Sequence, residues 1–235
     1  MALYLLGKIK LPHDGDVQHI SVGRLIMGLV VLAFTIYMIP GLWGAPLKLI
    51  SGFPPPMEYS ESPYGIGSAQ AMEPILDAVD GDLQQFVKFK APQNIMYFTD
   101  YDAGMAYAKK NNKPVMLDFT GHACVNCRKM EERVWPEPQI LPILKDDLVI
   151  ISLFVDAKES LPEAEQYTSE TTGKRIKTVG NKWSDLQIKK YGANAQPYYV
   201  LIGHDEQNLN NPVGYTPDVQ EYNAWLRDGI DNFEK

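Results

Sequence analysis

The chain begins with apolar positions that run on without a period. From Ile20 to Leu42 the only charged residue is Arg24. At about 1.5 Å per residue, a helix over this stretch crosses a hydrocarbon core of about 30 Å. Arg24 sits near the start, where its side chain can snorkel to the interface. Trp43 follows where an interfacial aromatic belongs. The run begins late and no A-x-A-like site follows, so a transmembrane helix fits better than a signal peptide. The opening LYLLGKIK reads as the end of another apolar segment, which makes the chain the tail of a longer membrane protein. Residues 51–68 then lose all periodicity: Pro54, Pro55, Pro56 and Pro63 alternate with Gly52, Gly65 and Gly67. That composition predicts a semi-stiff linker. The expected organisation is a membrane segment over 1–50 with its span at about 20–42, a linker over 51–68, and one domain over 69–235.

Beyond the linker the pattern alternates between helical and strand periods. Tyr101–Asn112 is amphipathic, with Asp100 as its cap. Val115–Phe119 is a short buried strand after Pro114. Cys124–Trp135 and Pro136–Lys145 are helical, and Leu148–Val155 is a β-branched buried strand. Trp183–Tyr191 is a helix closed by Gly192. Tyr198–Ile202 is a strand, Val213–Tyr215 a short last strand, and Val219–Ile230 a closing helix. Strands and helices in alternation predict an α/β domain with helices on both sheet faces. Ala157–Lys182 is polar and long for a connection, so it is read as functional or mobile.

Charge and composition narrow the function. Twenty-two Lys and Arg against 29 Asp and Glu give a net charge of −7, with no basic stripe, so nucleic acid is not an expected partner. Lys8, Lys10 and Arg24 precede the span and Lys48 follows it. The positive-inside rule then puts the N-terminus in the cytoplasm and the domain outside. The two cysteines, Cys124 and Cys127, close too small a loop to staple a domain. A redox pair or part of a metal site remains.

The motif is DFTGHACVNCRKMEE, with the first cysteine placed where a buried strand turns into a helix. Unpaired N–H groups and the helix dipole there favour a thiolate, the nucleophile of thiol–disulfide exchange. Cys127, a turn further in, is the resolving group. Asp118 lies in an apolar run, which argues for burial and a raised pKa. Metal is the rival reading: His122, Cys124 and Cys127 offer three ligands, but structural zinc wants four and no second cysteine pair exists. His122 is read as a loop residue that tunes the cysteine.

The strand–CxxC–helix unit, with Asp118 ahead of it and Pro197 before a later strand, resembles the thioredoxin superfamily. The runs DFTGHACVNCRKMEE and WSDLQIKKYGANAQPYYVLI are similar to the C-terminal domain of the thiol:disulfide interchange protein DsbD family, over roughly Ile95–Lys235. The apolar segment is similar to that family's last membrane helix. The resemblance implies a thioredoxin-like fold and a protein-disulfide reductase with a place in cytochrome c biogenesis. It also implies an inner-membrane location with the domain in the periplasm. Cys124 would attack, Cys127 resolve, and Pro197 be the cis-proline facing them. Asp118 and Glu131 match acidic positions beneath the pair. No organic cofactor or metal is implied. Membrane-domain cysteines are absent here, so electrons would come from a membrane domain or subunit with its own cysteine pair, bound for extracytoplasmic disulfide-containing proteins. Ala123 stands where thioredoxins usually carry Trp. The alternatives are a thioredoxin-like module that holds a client or metal without turnover, and an oxidase that forms disulfides.

Overall fold

The computed structural model describes residues 1–15, 19–43, 45, 47–50, 79–90 and 93–233. The expected linker, and with it the expected domain boundary, lies outside the described residues. In the N-terminal part, helix α1 (Ala2–Leu5) is followed by α2 (Val22–Met38), which continues as a 3₁₀ turn, Ile39–Trp43. The stretch Val22–Trp43, 22 residues with mean hydropathy 2.3, is the one helix among the described residues that is long and apolar enough to cross a membrane. Arg24 finds a partner within the protein. Its Nε donates to the Leu5 carbonyl (3.0 Å) and its Nη2 to that of Tyr4 (3.1 Å), satisfying carbonyls that end α1.

The rest is built on a five-stranded sheet. Its strands are β1 (Val87–Lys90), β2 (Ile95–Phe98), β3 (Val115–Thr120), β4 (Val149–Phe154) and, after a separate hairpin β5 (Tyr167–Thr168) and β6 (Arg175–Ile176), β7 (Tyr198–Ile202). The order is β1-β2-β4-β3-β7. β4 lies parallel to both β2 and β3, while β1 and β7 run antiparallel to their neighbours. Central strands covered on both faces must be apolar throughout. All six residues of β3 are buried, Asp118 among them.

Helices α3 (Tyr101–Asn111) and α5 (Val179–Tyr191) cover one face, where Phe98, Leu117, Ile151, Val200 and Trp183 pack together. The other face carries α4 (Val125–Arg133) and α6 (Val219–Phe233), around Tyr97, Met116, Trp135, Ile150, Tyr199 and Tyr222. Each fully buried side chain of this size contributes about 1.5–3 kcal/mol. Asp100 caps α3 by accepting from the Ala103 N–H (2.9 Å), as its sequence position predicts.

Several boundaries differ from the sequence reading. Helix α5 begins at Val179, because Thr178 caps it through the Asn181 N–H (3.2 Å). Gly180 gives that first turn its approach to the chain at Val155 and Ala157, whose backbone a Cβ would meet at 2.6–2.7 Å. The predicted helix over Pro136–Lys145 is turns as far as Ile140 and helical only from 141, with a π-helical segment over Ile143–Asp147. The predicted strand at Val213 amounts to a single bridge with Tyr199. Residues 157–178 form a strap and the β5–β6 hairpin, and 179–182 are the first turn of α5.

Candidate functional site

The cysteine pair stands at the end of β3, where the chain turns into α4. Cys124 is the N-cap of α4 and its Sγ accepts the Cys127 N–H at 3.1 Å. That is the place of an N-cap oxygen, so the helix supplies the sulfur with a donor before any substrate arrives. Cys124 and Cys127 are joined as a disulfide, with Cα atoms 5.3 Å apart. Cys124 is 7% exposed and Cys127 1%, so an incoming partner has better access to the first sulfur.

The loop before Cys124 is held from the turn that follows β4. Both Asp156 oxygens are used: Oδ1 accepts the His122 N–H (2.9 Å) and Oδ2 the Ala123 N–H (3.0 Å). Gly121 is required by the same packing, since a Cβ there would run into the Gln196 side chain and the Asp156 carboxylate. The His122 ring is exposed and stacks on Phe154, with centroids 4.3 Å apart. The Gln196–Pro197 peptide is cis. Its loop is held by the buried Gln187 side chain, which donates to the Ala195 carbonyl (2.8 Å) and accepts the Ala195 N–H (3.2 Å).

Beneath the motif lies a buried charge network. Asp118, 1% exposed, receives the Ser152 hydroxyl (2.8 Å) and the Lys90 ammonium (3.2 Å) on Oδ2. Lys90 also donates to Glu131 (2.6 Å), which takes a second bond from Arg128 (2.9 Å). Two cations therefore balance two carboxylates, as burial of charge demands. The ammonium also lies 5.0–5.8 Å from the ring centroids of Trp135, Tyr97 and Phe154. Glu131 is one helical turn from Cys127, on the same face of α4. The network thus reaches the helix that carries Cys127.

The pKa directions follow from this geometry. Burial pushes the Asp118 carboxyl up. Lys90 pulls it down, Glu131 adds to the rise, the bonds from Ser152 and Lys90 oppose it, and the net result is upward. Burial alone would lower Lys90, but Asp118 and Glu131 outweigh it and the ammonium is favoured. Burial also holds the Tyr199 hydroxyl, beside Asp118 in the sheet register, well above its ordinary value.

The structure thus links Asp118 and Glu131 through Lys90 and places Cys124, Cys127 and His122 at the turn above them. Lys90, Ser152 and Asp156 escaped the sequence reading as parts of the site. Among the described residues no group of three or more His, Cys, Asp or Glu side chains could hold a metal ion. His204 Nε2 lies 3.0 Å from the Lys113 carbonyl.

Some known proteins are similar to parts of this chain. Solved structures similar to this chain include a DsbH oxidoreductase (19% identity, TM-score 0.42), over 56% of this chain and 82% of that one. A thioredoxin from Thermus thermophilus matches at 19% identity and TM-score 0.39, over 54% of this chain and 81% of that one. No curated protein matches the sequence. A family model described as a thioredoxin-like domain matches residues 101–230, more than half of the chain. A CxxC pair at the N-terminus of a helix, a cis-proline loop, an α/β sheet with helices on both faces and this match together place the chain in the thioredoxin-like domain family.

Proposed function

We propose that the chain is a membrane-tethered thiol–disulfide oxidoreductase that reduces protein disulfides outside the cytoplasm, in the manner of the DsbD family. The observation that carries this reading is the unequal setting of the two sulfurs. Cys124 caps a helix and is the more accessible, while Cys127 is enclosed, one helical turn from Glu131 of the Asp118–Lys90–Glu131 network. In the reduced protein the Cys124 thiolate attacks one sulfur of a substrate disulfide and releases the other as a thiolate. Cys127, giving up its proton, then attacks Cys124 Sγ in the mixed disulfide. The Cys124–Cys127 bond forms, and the second substrate sulfur leaves and is protonated. Two protein thiols are oxidised and one substrate disulfide becomes two thiols. Asp118, with its raised pKa, is the group suited to take the Cys127 proton.

Re-reduction would draw electrons from a membrane domain or subunit with its own cysteine pair. The span Val22–Trp43 supports a tether in the inner membrane. The charge bias around it supports a periplasmic domain, and acceptors in cytochrome c biogenesis fit that side. Equilibration of the pair with glutathione tests the direction. A reductase is expected nearer about −270 mV than about −120 mV. A value near the oxidising end would assign disulfide formation instead, and failure to exchange at all would leave a binding module.

A further inference from the structure

The strap 157–162 and the segment following it wall a cavity of about 390 Å³ that the chemistry above does not use. The cavity lies beyond the ends of β2 and β4, and His122, two residues before Cys124, forms part of its wall. Phe154, Tyr97 and Trp183 are among the residues that line it. We propose that this groove is the docking site for an extended apolar segment flanking the cysteine of the substrate protein. The proposal rests on the thiol–disulfide reading above and supplies its substrate class.

The strap is built to stay in place. The Val179 N–H donates to the Glu159 carbonyl (2.9 Å) and the Leu161 N–H to that of Lys177 (2.8 Å). The Gly180 N–H donates to the Ala157 carbonyl (3.1 Å), and the Tyr167 hydroxyl ties the following hairpin to Asp185 on α5 (2.8 Å). Leu161 is buried against the body of the domain, so the strap walls the groove without filling it. The volume lies at the small end of ligand cavities, which suits one or two side chains and not a large cofactor.

Charge decides further. The wall carries Asp100, Glu159 and Glu165 against Lys88 and Lys182, an excess of one carboxylate. An anionic small disulfide such as oxidised glutathione is disfavoured there. A polypeptide with an apolar side chain for the aromatic lining is not. Because His122 joins the groove to the cysteine loop, a chain bonded to Cys124 can lay its flank across Phe154 without leaving the surface. Burying one Leu or Phe side chain in the groove raises affinity about tenfold or more.

The test uses the full chain in detergent micelles with three reducible probes. Two are synthetic peptides whose single cysteine is a mixed disulfide with 2-mercaptoethanol, flanked by Leu and Phe in one and by Gly and Ser in the other. The third is bis(2-hydroxyethyl) disulfide. The pre-reduced wild-type chain, its Cys124–Cys127 dithiol becoming the disulfide in a single turnover, should reduce the Leu/Phe peptide with a second-order rate constant about tenfold above that for the Gly/Ser peptide. Ser160→Trp, at an exposed strap position, should fill the groove and erase that preference with the bis(2-hydroxyethyl) disulfide rate unchanged. Glu159→Gln, which only evens the rim charge, should keep the preference. Equal rates for the two peptides, or a preference that survives Ser160→Trp, would overturn the proposal. Failure of the wild type to reduce bis(2-hydroxyethyl) disulfide would instead refute the thiol–disulfide reading itself.

Discussion

Replacing Lys90 by Met removes the one ammonium that joins both carboxylates of the buried network. The thioether keeps most of the apolar contact with Trp135, Tyr97 and Phe154. Glu131 retains Arg128 at 2.9 Å, so Asp118 is the group left uncompensated, with the Ser152 hydroxyl still donating to it. Removing one partner of a buried ion pair costs about 3–5 kcal/mol. At a typical urea slope of about 2 kcal/mol per molar, the midpoint should fall by about 1.5–2.5 M at pH 8. The pH dependence gives the sign. Asp118 already titrates above its ordinary value in the folded chain, and without Lys90 it moves further up. Its contribution is fully present below the unfolded carboxylate range and is lost as pH rises through the folded value. The raised Lys90 contributes in the wild type until pH rises past the lysine range. The deficit of Lys90→Met should therefore be small near pH 4 and grow towards neutrality. Lys90→Met combined with Asp118→Asn should recover most of it. Urea unfolding followed by tryptophan fluorescence at pH 4 and pH 8 measures this, with Trp135 beside the substituted position as reporter. A loss under about 1 kcal/mol at pH 8, or one equal at both pH values, would refute the reasoning.

Further outcomes follow from the same geometry. Asp118→Asn should slow resolution of the mixed disulfide by about 10²-fold or more near neutral pH and flatten its pH–rate profile, as stopped-flow kinetics would show; an unchanged profile would remove the proton-transfer role. Asp156→Ala frees the His122 and Ala123 N–H groups and removes a carboxylate from the cysteine loop. Cys124 should then be alkylated by iodoacetamide at lower pH, and amide exchange at those two positions should quicken. Deleting residues 22–43 should release the chain from the membrane pellet, whereas the intact chain should resist carbonate extraction.

The parts of this fold that rest on unbroken hydrophobic pattern were readable from the sequence. β3 and β4 are apolar runs buried on both faces, and the turn into α4 is marked by the CxxC motif itself. Short elements were not. β1 and β2 hold four residues each, and VKFK alternates like an ordinary edge strand whose lysines face water. Lys88 does so, but Lys90, on the same side, lies under Glu131 and the rings of the opposite layer, and only tertiary packing decides between the two. A buried Asp118 did call for a cation, though nothing in the sequence said which one. Arg128 stands next to Cys127 in the sequence, yet its guanidinium is committed to Glu131. Asp156 acts on the cysteine loop from 34 positions away, a link that only the parallel pairing of β3 with β4 creates. Thr178 was a cap hidden by the glycine two residues later, which reads as a breaker and in fact lets the helix approach the strap.

The central claim is that Cys124 attacks and Cys127 resolves, and mixed-disulfide trapping tests it most directly. Reduced Cys127→Ser and Cys124→Ser chains are each mixed with an oxidised protein substrate and separated on a non-reducing gel. Cys127→Ser should accumulate a covalent adduct that dithiothreitol dissolves, because the attacking sulfur is intact and the resolving one is gone. Cys124→Ser should trap little, since Cys127 is enclosed and lacks the helix-capping position. Equal trapping by both variants, or trapping by Cys124→Ser alone, would contradict the assignment and the helix-terminus argument behind it.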